Sequence, residues 1–405
     1  MPAIEVTSNV YWIGVNDRTT DLFEGLWPIT PEGVSYNSYL IKDEKPALID
    51  LTKAMKSDDY FAQIAEVISL SEIKYVVINH VEPDHTGVVR VLRQLAPDTT
   101  IVCTPRAVKL LEAFYDITEN IQVVADGETL SLGTTTLHFH HIPFVHWPET
   151  MATYDESSKV VFTCDAFGGY GALRGNIFDD QNADIDFYEK ESLRYFSNIV
   201  AKYHASVTKA IDKLSAIDIG IIAPSHGLIW RDRPQRILEL YRTWSAYGKT
   251  GGELGITIIY GTLYGNTEAI MNAIGMGISS KNVPFEIHDV SREHGSYMLN
   301  SLWKNRGVLI GAPTYEGGIF PPLGDIVRLA GSKSMRNKIA GIFGSYGWQT
   351  NGPSKELGPI FEANKWSLAD TLLINGGATG DELKQAEAFG KKFADAVIAG
   401  GKQSA

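Results

Sequence analysis

Four side chains able to hold a metal ion fall within six residues of the stretch Asn79-His80-Val81-Glu82-Pro83-Asp84-His85. The pattern H-x-E-x-D-H brings two imidazoles and two carboxylates together. Without a cation, carboxylates so close disturb each other's ionisation; a divalent or trivalent ion removes that cost. An apolar run, Tyr75 to Ile78, precedes the cluster and reads as a buried strand. A helical pattern, Val88 to Leu95, follows Thr86-Gly87. The cluster therefore belongs on a strand-to-helix turn, where side chains can converge outside a sheet edge.

Three later residues stand where partners would. His146 precedes Trp147-Pro148, after a strand expected over Thr134–His141. Asp165 follows the apolar run Val160–Cys164. His226 sits in Ala223-Pro224-Ser225-His226-Gly227, after a strand expected over Ile217–Ile222 with Gly220 inside it. A turn residue, a helix cap or a packed histidine would account for any one alone. Together with the first cluster they supply four histidines and three carboxylates, enough for two metals sharing one carboxylate. Imidazole mixed with several carboxylates suits iron or manganese, with zinc left open. His138, His140 and His141 have no neighbouring carboxylate in the sequence and read as structural.

A second chemistry appears at Gly261-Thr262-Leu263-Tyr264-Gly265-Asn266-Thr267. Hydroxyls and glycines between a strand and a helix can wrap a phosphate, with the helix N-terminus adding N–H groups and a favourable dipole. The loop lacks the Lys of a triphosphate-binding loop. A monophosphate held without a counter-charge points to FMN. Two further loops, Ala312-Pro313-Thr314-Tyr315-Glu316-Gly317-Gly318 and Gly344-Ser345-Tyr346-Gly347-Trp348, end strands on the same sheet edge. Their glycines let backbone approach a flat ring, and Tyr315, Tyr346 and Trp348 offer faces to stack on it.

The elements that must position these groups divide the chain in two. Val10–Val15, Ser35–Asp50 (with a turn at Asp43–Pro46), Thr100–Cys103 and Ile121–Val124 read as further strands, and Asp58–Ile68 as a helix. Leu22–Pro28 is aromatic and broken by Gly and Pro. It is too irregular for a strand and reads as a lid or partner-facing loop, with simple core packing as the alternative. An amphipathic helix, Arg236–Tyr247, leads to the Gly-rich join Gly248–Glu253. Strands are then expected at Ile256–Tyr260, Pro284–His288, Val308–Gly311, Ile339–Phe343 and Leu368–Ile374, with helices between and a last helix over Asp381–Ala399. The expectation is a β-rich α/β sandwich over residues 1–250 and a doubly wound five-stranded parallel sheet over residues 251–405.

Composition narrows the partners. With 44% hydrophobic and 21% charged residues the 405-residue chain is ordinary globular protein. Its net charge of −12 argues against nucleic acid. No apolar run approaches the roughly 20 residues of a membrane span, and the first residues lack the features of a signal peptide, so a cytoplasmic protein is expected. The two cysteines, Cys103 and Cys164, lie in apolar runs and read as buried thiols. They exclude a disulfide framework and an ordinary cysteine-ligated iron site.

On these residues the first half resembles the metallo-β-lactamase fold (an αββα sandwich), and specifically the flavodiiron proteins. Hydrolases of that fold usually carry H-x-H-x-D-H; Glu82 stands in place of the second histidine. The second half resembles flavodoxin, whose phosphate loop is T-x-x-G-N-T; Trp348 is similar to the ring-flanking residue of that family. The resemblance implies one iron on His80, Glu82 and His146, a second on Asp84, His85 and His226, and Asp165 between them. It implies no catalytic residues beyond these ligands. It implies FMN in the loops around Thr262–Thr267, Pro313–Gly318 and Gly344–Trp348, and an oxygen or nitric oxide reductase. Family members form head-to-tail dimers or dimers of dimers and draw electrons from rubredoxin, a reduced deazaflavin coenzyme or a separate reductase. Tyr195-Phe196, Trp147 and the Phe23–Trp27 loop are candidates for the wall around the oxidant. A metal-dependent hydrolase with a flavodoxin-like tail and a non-catalytic electron carrier are the rival classes.

Overall fold

The computed structural model describes residues 1–350 and 352–401, so the last four residues of the expected second domain lie outside it. Contacts divide the chain into two compact units. One comprises Met1–Phe196 and Ala205–Arg242; the other comprises Ser197–His204 and Thr243–Ala405.

The first unit is an αββα sandwich. Its larger sheet has seven strands in the order Ile4–Glu5, Val10–Trp12, Tyr39–Ile41, Ala47–Ile49, Tyr75–Val77, Thr100–Cys103 and Ile121–Val123. The pairings are antiparallel as far as Ala47–Ile49 and parallel beyond it. The second sheet has five strands, ordered Thr129–Ser131, Thr136–His141, Met151–Asp155, Val160–Cys164 and Ile221–Pro224. Met151–Asp155 and Val160–Cys164 are buried at every residue, as strands covered on both faces must be.

Several local expectations change; Val10–Val15, for one, is two strands, Val10–Trp12 and Val15–Asp17, in different sheets. In Ser35–Asp50 the expected turn joins Tyr39–Ile41 to Ala47–Ile49, but the leading strand is broken into Val34–Tyr36 and Tyr39–Ile41, because Asn37 and Ser38 turn inward and spend their polar groups on other segments. Asn37 Nδ2 donates to the Pro224 and Gly227 carbonyls, and Ser38 Oγ to the Asp50 carbonyl. Leu22–Pro28 is a small hairpin rather than an irregular loop: Leu22–Phe23 pairs with Trp27–Pro28. Glu24 (φ 51°) and Gly25 (φ 68°) supply the two left-handed residues that a tight hairpin turn requires. The strand expected over Ile217–Ile222 begins later, at Ile221, and runs to Pro224. Gly220 lies outside it and anchors its start by donating to the Lys159 carbonyl.

In the second unit five parallel strands are ordered Phe285–Asp289, Glu253–Tyr260, Asn305–Pro313, Ile339–Tyr346 and Ser367–Asn375. In chain order this is 2-1-3-4-5, with the order reversing beside Glu253–Tyr260. Ligands of such sheets bind at that switch, outside the strands' carboxyl ends. Ile256, Ile258, Leu309 and Phe343 of the sheet pack against Ile270, Ile274 and Phe393 of the helices Asn266–Ser279 and Gly380–Gly400. The last helix starts at a capping box between Thr379 and Glu382, which satisfies end N–H groups that would otherwise be unpaired.

Candidate functional site

The H-x-E-x-D-H stretch is held from below by a buried pair. Asp50, in a left-handed conformation (φ 49°), accepts from the Asn79 backbone N–H at 2.8 Å and from Asn79 Nδ2 at 2.9 Å. Thr153 Oγ1 donates to Asn79 Oδ1 at 2.7 Å. A non-glycine residue with positive φ persists only where its surroundings over-determine it, and here the carboxylate's two bonds do so. The chain then turns through Val81 into the short helix Pro83–Thr86. Thr86 Oγ1 donates to the Val81 and Glu82 carbonyls and meets Tyr115 Oη at 2.7 Å. Asp84 and His85 therefore project from a helical turn rather than from an open loop.

All seven expected metal-site residues converge. His80, Glu82, His146 and Asp165 form one group and Asp84, His85 and His226 another, with the ligand atoms of each within 4.8 Å of one another. Glu82 Oε2 is 3.1 Å from both His80 Nε2 and His146 Nε2. Asp165 lies between the groups. Its Oδ2 is 3.2 Å from His146 and 3.4 Å from His80, while its Oδ1 is 3.0 Å from His85 and 3.1 Å from His226. One carboxylate thus turns one oxygen to each group, the disposition of a bridging ligand.

The electrostatics fit a site made for cations. Burial alone would lower the histidines' pKa values, but carboxylate neighbours outweigh it. Asp165 and Glu82 raise His146 to about 9, and Asp165 and Asp84 raise His226 to about 10. Burial would raise Asp165, yet the charge of His85 and contacts with His146 and His226 hold it well below the usual carboxylate range. Asp84 Oδ1, Asp165 Oδ2 and His226 Nε2 are buried and lack an aligned hydrogen bond. Leaving such atoms unpaired is costly, and a coordinated metal would satisfy them. Cys164 also lies near His85 and Asp165, but burial pushes its thiol well above its ordinary value, so it stays a protonated core residue.

Three neighbours carry more than the sequence suggested. Glu149 Oε1 is 2.7 Å from His80 Nδ1 and accepts the Val81 N–H at 3.2 Å. Tyr195, expected as apolar wall, donates its hydroxyl to Asp165 Oδ1 at 2.8 Å. Ser35 offers its carbonyl to His226 Nδ1 at 2.7 Å. The signal for Glu149 was its place three residues after His146; Ser35 acts through backbone and leaves no signal in residue type. Among the wall candidates, the Trp147 ring lies 4.9 Å from His80 and Phe23 5.4 Å from His226, both edge-on. Phe196 packs instead on Tyr241. A cavity of about 410 Å³ opens onto Glu82 and Asp84 and is bordered by the Leu22–Gly25 turn, Tyr36 and Lys53. His138 does have a carboxylate beside it, Glu156 at 3.1 Å, supplied by the end of the adjacent strand. His138, His140 and His141 belong to no metal-ligating group among the described residues.

The second unit has a cavity of about 480 Å³ at its switch point, within the range of small-molecule and cofactor sites. Of the expected residues, Thr262, Leu263, Tyr264, Asn266, Thr267, Pro313, Thr314, Tyr315, Ser345, Tyr346, Gly347 and Trp348 line it. Gly265, Gly317, Gly318 and Gly344 are not among its lining residues. Gly265 (φ 88°) makes the turn into the helix Asn266–Ser279, and Thr262 Oγ1 accepts its N–H at 3.0 Å. Gly344 serves the sheet, since a Cβ there would lie 1.9 Å from the Ala312 carbonyl oxygen. Gly376 lines the cavity without having been expected, and Glu316 joins it from within the expected Pro313–Gly318 loop. Trp348 and Tyr264 are 88% and 91% exposed at its rim, an unusual state for large aromatic rings.

Comparison with known proteins agrees with this geometry. Residues 34–227 match the family described as ODP family beta lactamase, and residues 258–390 match flavodoxin. The anaerobic nitric oxide reductase flavorubredoxin of Escherichia coli K12 is 33% identical over 398 residues, 97% of this chain and 82% of that protein. Among solved structures, the rubredoxin oxygen:oxidoreductase of the anaerobe Desulfovibrio gigas superposes with a TM-score of 0.92 at 27% identity, covering 98% of this chain and 99% of that one. The flavodiiron protein of Giardia intestinalis superposes with a TM-score of 0.94 at 26% identity, covering 100% of this chain and 99% of that one. No helix among the described residues is long and apolar enough to cross a membrane.

Proposed function

The chain belongs to the flavodiiron protein family, and on that premise we propose that it is an oxidoreductase reducing dioxygen to water, nitric oxide to nitrous oxide, or both. The observation that carries the reading is Asp165, whose two carboxylate oxygens face two separate ligand groups. In this reading His80, Glu82 and His146 hold one iron, Asp84, His85 and His226 the other, and Asp165 bridges them within a diiron domain over residues 1–250. The loops that line the cavity of the second domain, residues 251–405, hold FMN. When bound, the iron pair and the flavin together supply the four electrons that dioxygen needs, or the two that join two nitric oxide molecules.

The protein's own part is to place and shield. Glu82 and Asp84 border the 410 Å³ cavity through which a small oxidant arrives. Trp147 and Phe23 cover the ligand imidazoles with apolar edges, keeping water from the rings. The Tyr195 hydroxyl takes part of the negative charge on Asp165 and keeps its own proton, because burial and Asp165 raise its pKa well above the ordinary phenol value. Thr262 and the turn at Gly265 shape the end of the cavity where a phosphate would meet the helix N-terminus. The exposed rings of Trp348 and Tyr264 support a surface that another protein covers. A head-to-tail dimer, with the flavin of one chain facing the metal centre of its partner, is the arrangement proposed. Electrons come from an external donor, of which rubredoxin is one form, named with the Desulfovibrio gigas relative.

The test is metal and flavin analysis on anaerobically prepared protein, followed by turnover of each oxidant. About two irons and one FMN per chain, as the two ligand sets and the switch-point cavity imply, with dioxygen or nitric oxide consumption, supports the reading. Zinc that iron does not displace, with hydrolysis of a thioester or lactam, would establish the hydrolase instead.

A further inference from the structure

We infer that Glu149 is a positioning residue that makes the two metal positions unequal, so that the position formed by His80, Glu82 and His146 is oxidised first. The inference rests on the diiron reading above. Glu149 is 2% exposed and pinned from several sides. Its Oε1 lies 2.7 Å from His80 Nδ1 and 3.2 Å from the Val81 nitrogen, and Thr104 Oγ1 donates to its backbone carbonyl at 2.9 Å. A carboxylate oxygen that already accepts a backbone N–H is an acceptor, so the His80 proton sits on Nδ1. Nε2 faces Glu82 and Asp165 and is the nitrogen that a metal would take. The remaining carboxylate oxygen, Oε2, is buried with no hydrogen-bond partner, a cost that packing does not explain.

The other position lacks this anionic support. His226 Nδ1 meets a neutral carbonyl, that of Ser35, and His85 Nδ1 is buried without a hydrogen-bond partner. The first-sphere charges are otherwise matched: one carboxylate and two imidazoles on each side, with Asp165 shared. Asp50 lies near His85 but spends its oxygens on Asn79, so Glu149 is the outer carboxylate bonded directly to a ligating ring, and it is on one side only. A carboxylate behind a ligating imidazole raises its basicity and fixes its orientation, which favours the ferric state of the iron it serves. Removing one electron from the reduced pair, to an added chemical oxidant, then leaves the ferric ion on the His80 side and the ferrous ion on the His226 side.

The experiment uses the full chain loaded with two irons and FMN. The reduced protein is titrated with an oxidant under nitrogen while the one-electron-oxidised pair is followed by low-temperature electron paramagnetic resonance. Glu149→Gln keeps the size and an acceptor but removes the charge. At saturating iron its iron and FMN contents should match the parent, while the equilibrium constant for forming the one-electron-oxidised pair falls about tenfold, the lower end of what losing such a partner costs in metal affinity or activity. Glu149→Asp keeps the charge and should restore most of that constant; Glu149→Ala, which frees the ring, should lose iron. An unchanged constant in Glu149→Gln, or equal loss in the Gln and Asp variants, overturns the inference and leaves the diiron reading standing. A parent chain that binds no coupled iron pair overturns that reading, and the inference with it.

Discussion

The Tyr195 hydroxyl donates to Asp165 Oδ1 at 2.8 Å, the same oxygen that lies 3.0 Å from His85 and 3.1 Å from His226. One buried phenol therefore holds the carboxylate that joins the two ligand groups. Tyr195→Phe keeps the ring, which packs edge-on against Tyr170 at 5.2 Å. The variant should keep its iron and lose about tenfold or more in turnover, since a hydrogen bond to a charged group contributes about 1.5–3 kcal/mol. Steady-state oxidant consumption at matched iron content checks it; unchanged turnover would leave Tyr195 a packing residue.

Asp165→Asn tests the bridge itself. The amide is isosteric but lacks the charge that two cations share and brings an NH₂ that cannot ligate. Iron content should drop below two per chain and turnover collapse, while flavin absorbance persists because the second unit is a separate sheet and core. Full iron occupancy in this variant would remove Asp165 from the site.

The pH dependence of the metal-free chain follows from the histidines. Folded His146 and His226 have pKa values raised to about 9 and about 10 from 6.5. A raised value means that the folded state holds the proton more tightly. That stabilisation is complete below the unfolded value and is lost as pH rises from 6.5 to about 10. Glu82 and Asp165 are depressed instead, so their contribution disappears only in acid. Thermal melts of metal-free protein should fall from neutral to pH 10. Iron-loaded protein should not follow, because the metal takes the protons' place and its binding strengthens as they leave. Parallel melting curves in the two forms would contradict this.

Asn266→Ala combined with Thr267→Ala addresses the flavin cavity. Both side chains line it at the start of the helix Asn266–Ser279, and Thr267 is buried. FMN affinity should weaken by about tenfold or more, the effect of losing one or two hydrogen bonds to a charged group, with iron content unchanged. Loss of iron with flavin retained would mean that the flavin lies elsewhere.

The sequence by itself determined the types of chemistry and most of the scaffold. Residue identity at His80, Glu82, Asp84 and His85 is legible because four ligands within six residues have few other physical uses. The parallel sheet of the second unit is legible because its three central strands, Glu253–Tyr260, Asn305–Pro313 and Ile339–Tyr346, are largely buried apolar runs, each leading through a loop into a helix. Tertiary structure alone decided what depends on long-range approach. Asp50 supports Asn79 across 29 residues and Ser35 reaches His226 across 191; no local pattern encodes either. Which glycines face a ligand was equally hidden: Gly344 looks like a loop residue, yet it is required by the Ala312 carbonyl of the adjoining strand. The same holds at the centre of the site. The sequence supplies Asp165 as one more carboxylate after a strand, but only the meeting of two sheets sets its two oxygens toward different histidines, and only the fold seats the buried Glu149 behind His80.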